Sequence, residues 1–241
     1  MLTVIGIGPG SEVMMTQEAI MALKAADIVV GYKTYTHLVK PLVGDKEIIK
    51  TGMCKEIERC QTAIELAEQG KNVAVVCSGD AGIYGMAGLI LELVSQQKRN
   101  VEVRLVAGVT ASTACAALLG APLMHDFCHI SLSDLLTPWE LIEKRVKAAA
   151  EADFVICFYN PRSREREEHL ARAFALMEPW KSTDTPVGVV KAAGRKHEDK
   201  WLTTFGSMDF SRVDMRSLVI VGNQSTYVRD GLMITPRGYR L

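Results

Sequence analysis

The sequence predicts an α/β protein of two lobes of similar size, on three observations. Short apolar runs of strand length alternate with stretches whose apolar residues recur at helical spacing. Glycine-rich turns follow several of those runs. The alternation pauses once, at Gly120-Ala121-Pro122, which divides the chain into lobes 1–120 and 121–241. Alternation of this kind builds βαβ units around a parallel sheet.

Leu2–Ile7 is the first strand and runs into glycines. Gln17–Ala26 is a helix, with Ala19, Ile20 and Leu23 at helical spacing. Ile28–Val30 is the second strand, stopped by Gly31. Glu56–Glu68 is a helix with Ile57, Cys60, Ile64 and Ala67 on one face and Gly70 as its cap. Asn72–Cys77 is the third strand, Ile83–Ser95 a helix, Val101–Val106 the fourth strand and Thr110–Leu119 a small-residue helix. In the second lobe His125–Ser133 is a strand and Trp139–Ala150 a helix with Pro138 near its start. Phe154–Tyr159 is a strand and Glu165–Met177 a helix. Pro186–Val190 and Leu218–Val221 are strands, and Trp201–Phe205 is a candidate for another. No repeat of fixed period and no low-complexity segment interrupts this order.

Composition removes several function classes. Twenty-eight Lys+Arg balance 28 Asp+Glu. A duplex nucleic-acid binder usually carries a basic excess, because phosphate neutralisation dominates its affinity. No apolar run approaches the ~20 residues that span a bilayer. The N-terminus has neither a basic region nor a cleavable apolar region, so no leader is expected. The six cysteines, Cys54, Cys60, Cys77, Cys115, Cys128 and Cys157, form no CxxC. They read as reduced, mostly buried thiols of a cytoplasmic protein, and their spacing supplies no zinc or iron–sulfur site. The eleven methionines are scattered, as core filler is.

Ligands of open parallel sheets collect outside the carboxyl ends of the strands. In the first lobe those ends carry Gly6-Ile7-Gly8-Pro9-Gly10, Ser78-Gly79-Asp80-Ala81-Gly82 and Ala107-Gly108-Val109-Thr110. In the second they carry Tyr159-Asn160-Pro161-Arg162, Lys191-Ala192-Ala193-Gly194-Arg195 and Gly222-Asn223-Gln224-Ser225. A dinucleotide site fails in detail: Pro9 stands where phosphate would approach, and Ile28–Val30 ends in Gly31-Tyr32 without an acidic residue for a ribose. No P-loop sequence occurs. Glycines here serve tight turns of positive φ. Three such ends in one lobe also open a surface on which backbone groups meet a flat polar molecule of the adenosine type.

Val4–Gly10 (VIGIGPG), Ser78–Ala81 (SGDA) and Gly108–Ser112 (GVTAS) resemble the motifs of the tetrapyrrole methyltransferases, S-adenosylmethionine-dependent enzymes of cobalamin and sirohaem synthesis. Ala81 stands where the common family form GDP has proline. Ile130–Trp139 (ISLSDLLTPW), Phe158–Arg164 (FYNPRSR) and Val219–Thr226 (VIVGNQST) resemble the precorrin-3B C17-methyltransferase branch, which includes the cobalt-containing version of the anaerobic pathway. The resemblance covers essentially the whole chain. With the last motif close to Leu241, no appended metal-cluster domain is expected.

That resemblance implies a mainly parallel N-terminal sheet, a mixed C-terminal sheet and an active-site cleft between the lobes. It implies S-adenosylmethionine as methyl donor and S-adenosylhomocysteine as product. By motif match Pro9, Gly79, Asp80, Ile83, Thr110 and Ala111 would border the cofactor from the first lobe, and Tyr159, Ala192 and Ala193 from the second. The reaction it implies is methylation of C17 of a precorrin-3-level tetrapyrrole, with contraction of the ring and loss of C20 from it. Methyl transfer needs chiefly an in-line approach. Contraction needs proton transfers.

Asp80, His129 and Asp134 are the candidate catalytic residues, with His125 and Asp126 behind them. Each has a structural alternative: Asp80 as cap of the helix near Ile83, Asp134 as a turn or cap, the histidines as satisfied structural residues. On a strand His125 and His129 share a face, and so do Ser131 and Ser133. A polycarboxylate substrate suits guanidinium forks, which singles out Arg162, Arg164 and Arg195, with Ser131 as hydrogen-bonding partner and Lys191 and Arg237 as weaker candidates. Arg164 also reads as part of a charged helix start. The alternatives to this function are another superfamily branch, acting at a different precorrin position or on ribosomal RNA or diphthamide, and a non-catalytic tetrapyrrole carrier. The neutral charge speaks against RNA. A homodimer without nucleic-acid or membrane partners is expected.

Overall fold

The computed structural model describes residues 1–240. Its chain divides into two compact units, Met1–Ala111 and Ser112–Leu241. The division falls at the start of a helix, ahead of the expected pause at Gly120-Ala121-Pro122.

The N-terminal unit holds β1 (Leu2–Gly6), α1 (Gln17–Ala25), β2 (Ile28–Tyr32), α2 (Lys33–Val43), β3 (Glu47–Thr51), α3 (Glu56–Glu68), β4 (Val73–Cys77), α4 (Ala87–Gln96) and β5 (Val103–Val106). The five strands form one sheet in the order β3-β2-β4-β1-β5, and every pairing is parallel. Strand alternation sends side chains to opposite faces. Leu2, Val4, Val73 and Val75 pack with Cys60, Ile64 and Ile90 of α3 and α4. Ile5, Val29, Ala74 and Val76 pack with Ala19, Leu23 and Val39 of α1 and α2. Both faces are thus covered, which is why these strands read as continuous apolar runs. Thr16 caps α1 by accepting the Ala19 N–H at 3.1 Å. Gly70, at φ +86°, follows the end of α3.

Two elements of this unit carry little sequence signal. Helix α2 contains Pro41 and a run of Thr and Tyr residues, and β3 is a partly exposed edge strand. Helix α4 starts at Ala87 rather than Ile83. Gly82, Tyr84 at φ +53° and a Gly85 with no room for a Cβ against the Ala81 carbonyl make residues 81–86 a tight turn.

The second unit runs α5 (Ala111–Leu119, beginning on the boundary residue), β6 (Gly120–Ala121), β7 (Phe127–Ser131), α6 (Trp139–Glu151), β8 (Val155–Tyr159), α7 (His169–Met177), β9 (Pro186–Lys191), β10 (Asp199–Thr204), β11 (Ser217–Val221), β12 (Tyr227–Arg229) and β13 (Leu232–Ile234). Its main sheet has the order β10-β9-β11-β8-β7. Only β7 and β8 pair in parallel, so the sheet is mixed. Ile156, Phe158, Val187, Val189 and Val219 pack against Ile142, Val146, Leu170 and Phe174 of α6 and α7. A small third sheet joins β12, β13 and β6. Gly188 in β9 leaves the notch into which Leu119 of α5 fits, 2.5 Å from where a Cβ would stand.

Strand β7 is shorter than His125–Ser133, which removes His125 from any shared strand face with His129. Helix α7 begins at His169, not Glu165, because the preceding charged residues form a loop tied back by Arg166. Among the described residues no helix is long and apolar enough to cross a membrane.

Candidate functional site

In the N-terminal unit the ends of β1, β4 and β5 meet backbone to backbone. Gly8 and Gly79 exchange N–H···O bonds of 3.0 and 2.7 Å. A Cβ on Gly6 would stand 2.7 Å from the Gly108 nitrogen and 2.8 Å from the Gly79 oxygen. One on Gly108 would stand 2.5 Å from the Gly6 oxygen. Gly8 and Gly79 take positive φ, +71° and +68°, as turn glycines do. Gly6 and Gly108 are glycines for a different reason, the close approach of neighbouring backbone.

Asp80 fastens this junction. Its Oδ1 accepts from Gly82 N at 2.8 Å and Ile83 N at 3.2 Å. Its Oδ2 accepts from Gly108 N at 3.0 Å, which links the loop after β4 to the loop after β5. It caps no helix, since α4 begins beyond its reach at Ala87. Thr110 and Ala111 lie beside Gly79, whose Cβ would be 3.7 Å from Thr110 Cα and Ala111 N. Pro9 is buried and Ile83 and Thr110 are half-buried. Pro9, Gly79, Asp80, Ile83, Thr110 and Ala111 therefore belong to one cluster of three strand-end loops.

The same unit contains a cavity of about 200 Å³ lined by Tyr32, Tyr84, Met86 and Arg59 among others. Arg59 is only 4% exposed. Nothing in the sequence singles it out beyond its place next to Cys60 on the apolar face of α3.

In the second unit the strand ends are joined by side chains. Tyr159 closes β8, and its hydroxyl accepts the Ser112 N–H at 3.0 Å near the start of α5. Its ring lies 5.1 Å from that of His129, which also faces Phe127 at 5.6 Å. Burial pushes the His129 imidazole below the usual histidine range, favouring the neutral ring. His129 Nε2 is buried without a partner among the described residues.

The loops after β7 and β8 make a polar network. Ser131 Oγ accepts from Asn160 Nδ2 at 3.0 Å and from Ser133 N at 3.3 Å. Ser133 Oγ accepts from Arg166 Nη1. His169 Nε2 lies 2.9 Å from Asp134 Oδ2, with Arg166 4.0 Å from that carboxylate. The hydrogen bond to His169 holds the Asp134 carboxyl below its ordinary range. Trp139 meets the His169 ring edge-on at 4.6 Å and so fixes its plane. Sequence reading missed His169, Arg166 and Asn160. The first two fall inside the expected helix Glu165–Met177, which begins only at His169, and Asn160 shows only as part of a motif.

The remaining candidates are not gathered into that network. Arg162 donates to the Phe210 carbonyl at 3.0 Å and to Glu167 at 3.1 Å. Arg164 is exposed. Arg195 sits in the turn after β9, its N–H bonded to the Ala192 carbonyl at 2.9 Å. Ala192 (φ +53°) and Ala193 are buried in that same turn. Lys191 pairs with Asp214 at 2.7 Å. His125 Nδ1 accepts the Asp126 N–H at 2.8 Å. Arg237 reaches the Met124 carbonyl at 3.5 Å.

The arrangement resembles that of known proteins. The family described as tetrapyrrole (corrin/porphyrin) methylases matches residues 1–209. A probable cobalt-factor III C(17)-methyltransferase of Salmonella typhimurium is 77% identical over 241 residues, covering all of both chains. A cobalt-factor III methyltransferase of Priestia megaterium is 50% identical over 99% of this chain, which spans 45% of that longer protein. Among solved structures, the methyltransferase CobJ superposes with a TM-score of 0.93 at 35% identity, over 98% of this chain and 99% of that one. The chain belongs to the tetrapyrrole (corrin/porphyrin) methylases.

Proposed function

We propose that the protein transfers a methyl group from S-adenosylmethionine to C17 of a cobalt-containing precorrin-3-level tetrapyrrole, with contraction of the ring, in cobalamin biosynthesis. The observation that carries this is the 77% identity, end to end, with the Salmonella cobalt-factor III C(17)-methyltransferase. The cobalt form is preferred because that relative and the Priestia one are both named for cobalt-factor III.

The strand-end loops of the N-terminal unit suit the methyl donor. Gly79 carries no side chain and Ala111 only a methyl group, so backbone can approach a flat ligand closely. Pro9, Ile83 and Thr110 would border it there, and Tyr159, Ala192 and Ala193 are the contacts assigned to the second unit. When bound, the sulfonium supplies an activated methyl group, so the protein's part is orientation. Asp80 serves that part, since its three backbone N–H bonds hold two of the loops in register.

Ring contraction needs a proton moved at fixed positions. Asp134 and His169 form a hydrogen-bonded acid–base pair, and the neutral ring of His129 keeps an unpartnered Nε2. We assign proton transfer to these groups and positioning to Asp80. Ser131 would donate to a macrocycle carboxylate, and Arg162, Arg164 and Arg195 would meet others with their guanidinium groups. A homodimer in the cytoplasm is part of this reading, the compartment being supported by six free thiols. Mass measurement in solution tests the dimer.

The deciding experiment gives purified protein S-adenosylmethionine and either cobalt-loaded or metal-free precorrin-3-level tetrapyrrole under anaerobic conditions. Mass spectrometry should show one added methyl and a contracted ring on the cobalt substrate. Turnover of the metal-free substrate alone would overturn the cobalt assignment. No methylation of either would overturn the reaction.

A further inference from the structure

The cavity beside the ends of β2 and β4 holds a buried cation whose hydrogen-bonding is incomplete. Arg59, on the second turn of α3, gives Nε to Thr51 Oγ1 at 2.6 Å and Nη2 to the Gly52 carbonyl at 2.9 Å. Those two bonds anchor one edge of the guanidinium. Among the described residues the remaining nitrogen, Nη1, has only poor acceptors: the Met86 thioether at 3.5 Å and a Glu56 carboxylate oxygen at 3.9 Å. Glu56 is 43% exposed, so much of its charge is spent on water. A guanidinium that is 4% exposed and so weakly neutralised is costly unless an anion completes its shell.

The walls say what kind of anion fits. Tyr32, Tyr84, Met53 and Met86 line the cavity, and Tyr84 is held at a positive φ with half its surface exposed. Aromatic and thioether walls around one cation suit a carboxylate carried on an apolar ring, not a heavily hydrated phosphate. At about 200 Å³ the cavity is smaller than the roughly 300–1,000 Å³ that encloses a whole ligand. It has room for a carboxylate-bearing arm and the ring edge that carries it.

We infer that Arg59 forms a carboxylate subsite, taking one acetate or propionate arm of the tetrapyrrole while Tyr32, Tyr84 and Met86 pack on the pyrrole edge. The arm's identity as part of a tetrapyrrole rests on the function proposed above. The carboxylate specificity rests on the cavity alone. Glu56 is then a competitor for Arg59, and removing its charge should strengthen binding.

The test uses full-length protein and two readouts. In the first, pyrrole-3-acetic acid and its amide are titrated while the Arg59 guanidinium 15N–H resonances are followed. The acid should shift them and the amide should not. Glu56→Gln should tighten the acid about two- to fivefold, the scale of a partly exposed ion pair. In the second, Arg59→Gln should raise KM for the tetrapyrrole about tenfold or more with KM for S-adenosylmethionine and kcat kept, and Arg59→Lys should fall between. Glu56→Gln changes a half-exposed residue and has the opposite sign, so it decides the matter even where Arg59→Gln folds poorly.

Equal response to acid and amide, or an unchanged acid affinity in Glu56→Gln, would overturn the subsite while wild-type methylation still stands. Arg59-dependent binding of the acid by a wild type that methylates no tetrapyrrole would uphold the carboxylate site and remove the substrate assignment.

Discussion

The two units finish their strands in opposite ways. In the N-terminal unit β1, β4 and β5 end on glycines packed backbone against backbone, and one carboxylate, Asp80, ties two of the loops. In the C-terminal unit β7 and β8 end on side chains that bond one another: Ser131 with Asn160, Ser133 with Arg166, Asp134 with His169. The first kind of surface is defined by shape and tolerates no added atom at Gly6 or Gly108. The second is defined by proton positions and tolerates changes of shape better than changes of chemistry. Substitutions in the first should therefore appear as lost stability, and in the second as lost turnover.

Gly108→Ala should break the first surface outright. The new Cβ would press on the carbonyl oxygens of Gly6 and Gly79, neither of which can rotate away. Overpacking against backbone should cost about 3 kcal/mol, or leave no folded protein, and the denaturant midpoint measures it. A midpoint within experimental error of wild type would mean that the loops can separate freely.

His169→Ala is expected to act on the second surface with the reverse profile. Turnover should fall on the order of a hundredfold, the low end for a lost acid–base group. The denaturant midpoint should move little, because the partner carboxylate is a third exposed and hydrates when left alone. Asp134→Asn should behave alike. The hydrogen bond from His169 holds the Asp134 carboxyl below its ordinary value of 3.8, so the pair's contribution is complete above that pH. It fades only as pH falls through the lowered value.

Asp80→Asn probes the one charged group of the backbone-built surface. The amide keeps an acceptor for Gly82 and Ile83 but turns a donor toward the Gly108 N–H. Stability should drop by about 1.5–2 kcal/mol, with weaker S-adenosylmethionine binding by titration calorimetry. His129→Phe removes a group assigned to proton transfer, so turnover should fall, while its effect on stability is small and depends on pH. Burial lowers the His129 pKa, so the folded form takes up a proton later than the unfolded chain does. Its contribution is present above the ordinary value of 6.5 and is lost as pH falls below it. Midpoints at pH 7.5 and 5.5 should therefore differ less in His129→Phe than in wild type.

The same contrast governs what could be read from the sequence. Strands buried on both faces announce themselves as apolar runs, and helices with one buried face as periodic ones, so α1 and α3 were legible nearly to the residue. Helix α2, with Pro41 inside, and the half-exposed β3 lack either signature. The glycine loops were legible as a motif, yet their reason was not, because close approach between Gly6 and Gly108 is a relation between distant residues. Asp134 was legible, while His169 was hidden in a charged stretch that looked helical. The burial of Arg59 depends on what α3 packs against, which no local pattern states.

The short pairing of β6 with β13 bears on how the chain is made. Gly120 stands beside Met233 and Ala121 beside Ile234, so the opening and closing stretches of the second unit lie in one ribbon. A ribosome delivers the N-terminal unit complete once β5 has emerged, while all of Ser112 onward is still to come. At roughly 5–20 residues per second, the edges of β6 then wait several seconds for their partner. Through that interval the nascent chain is one finished unit trailing an open one, and the hairpin of β12 and β13 is the piece that closes it.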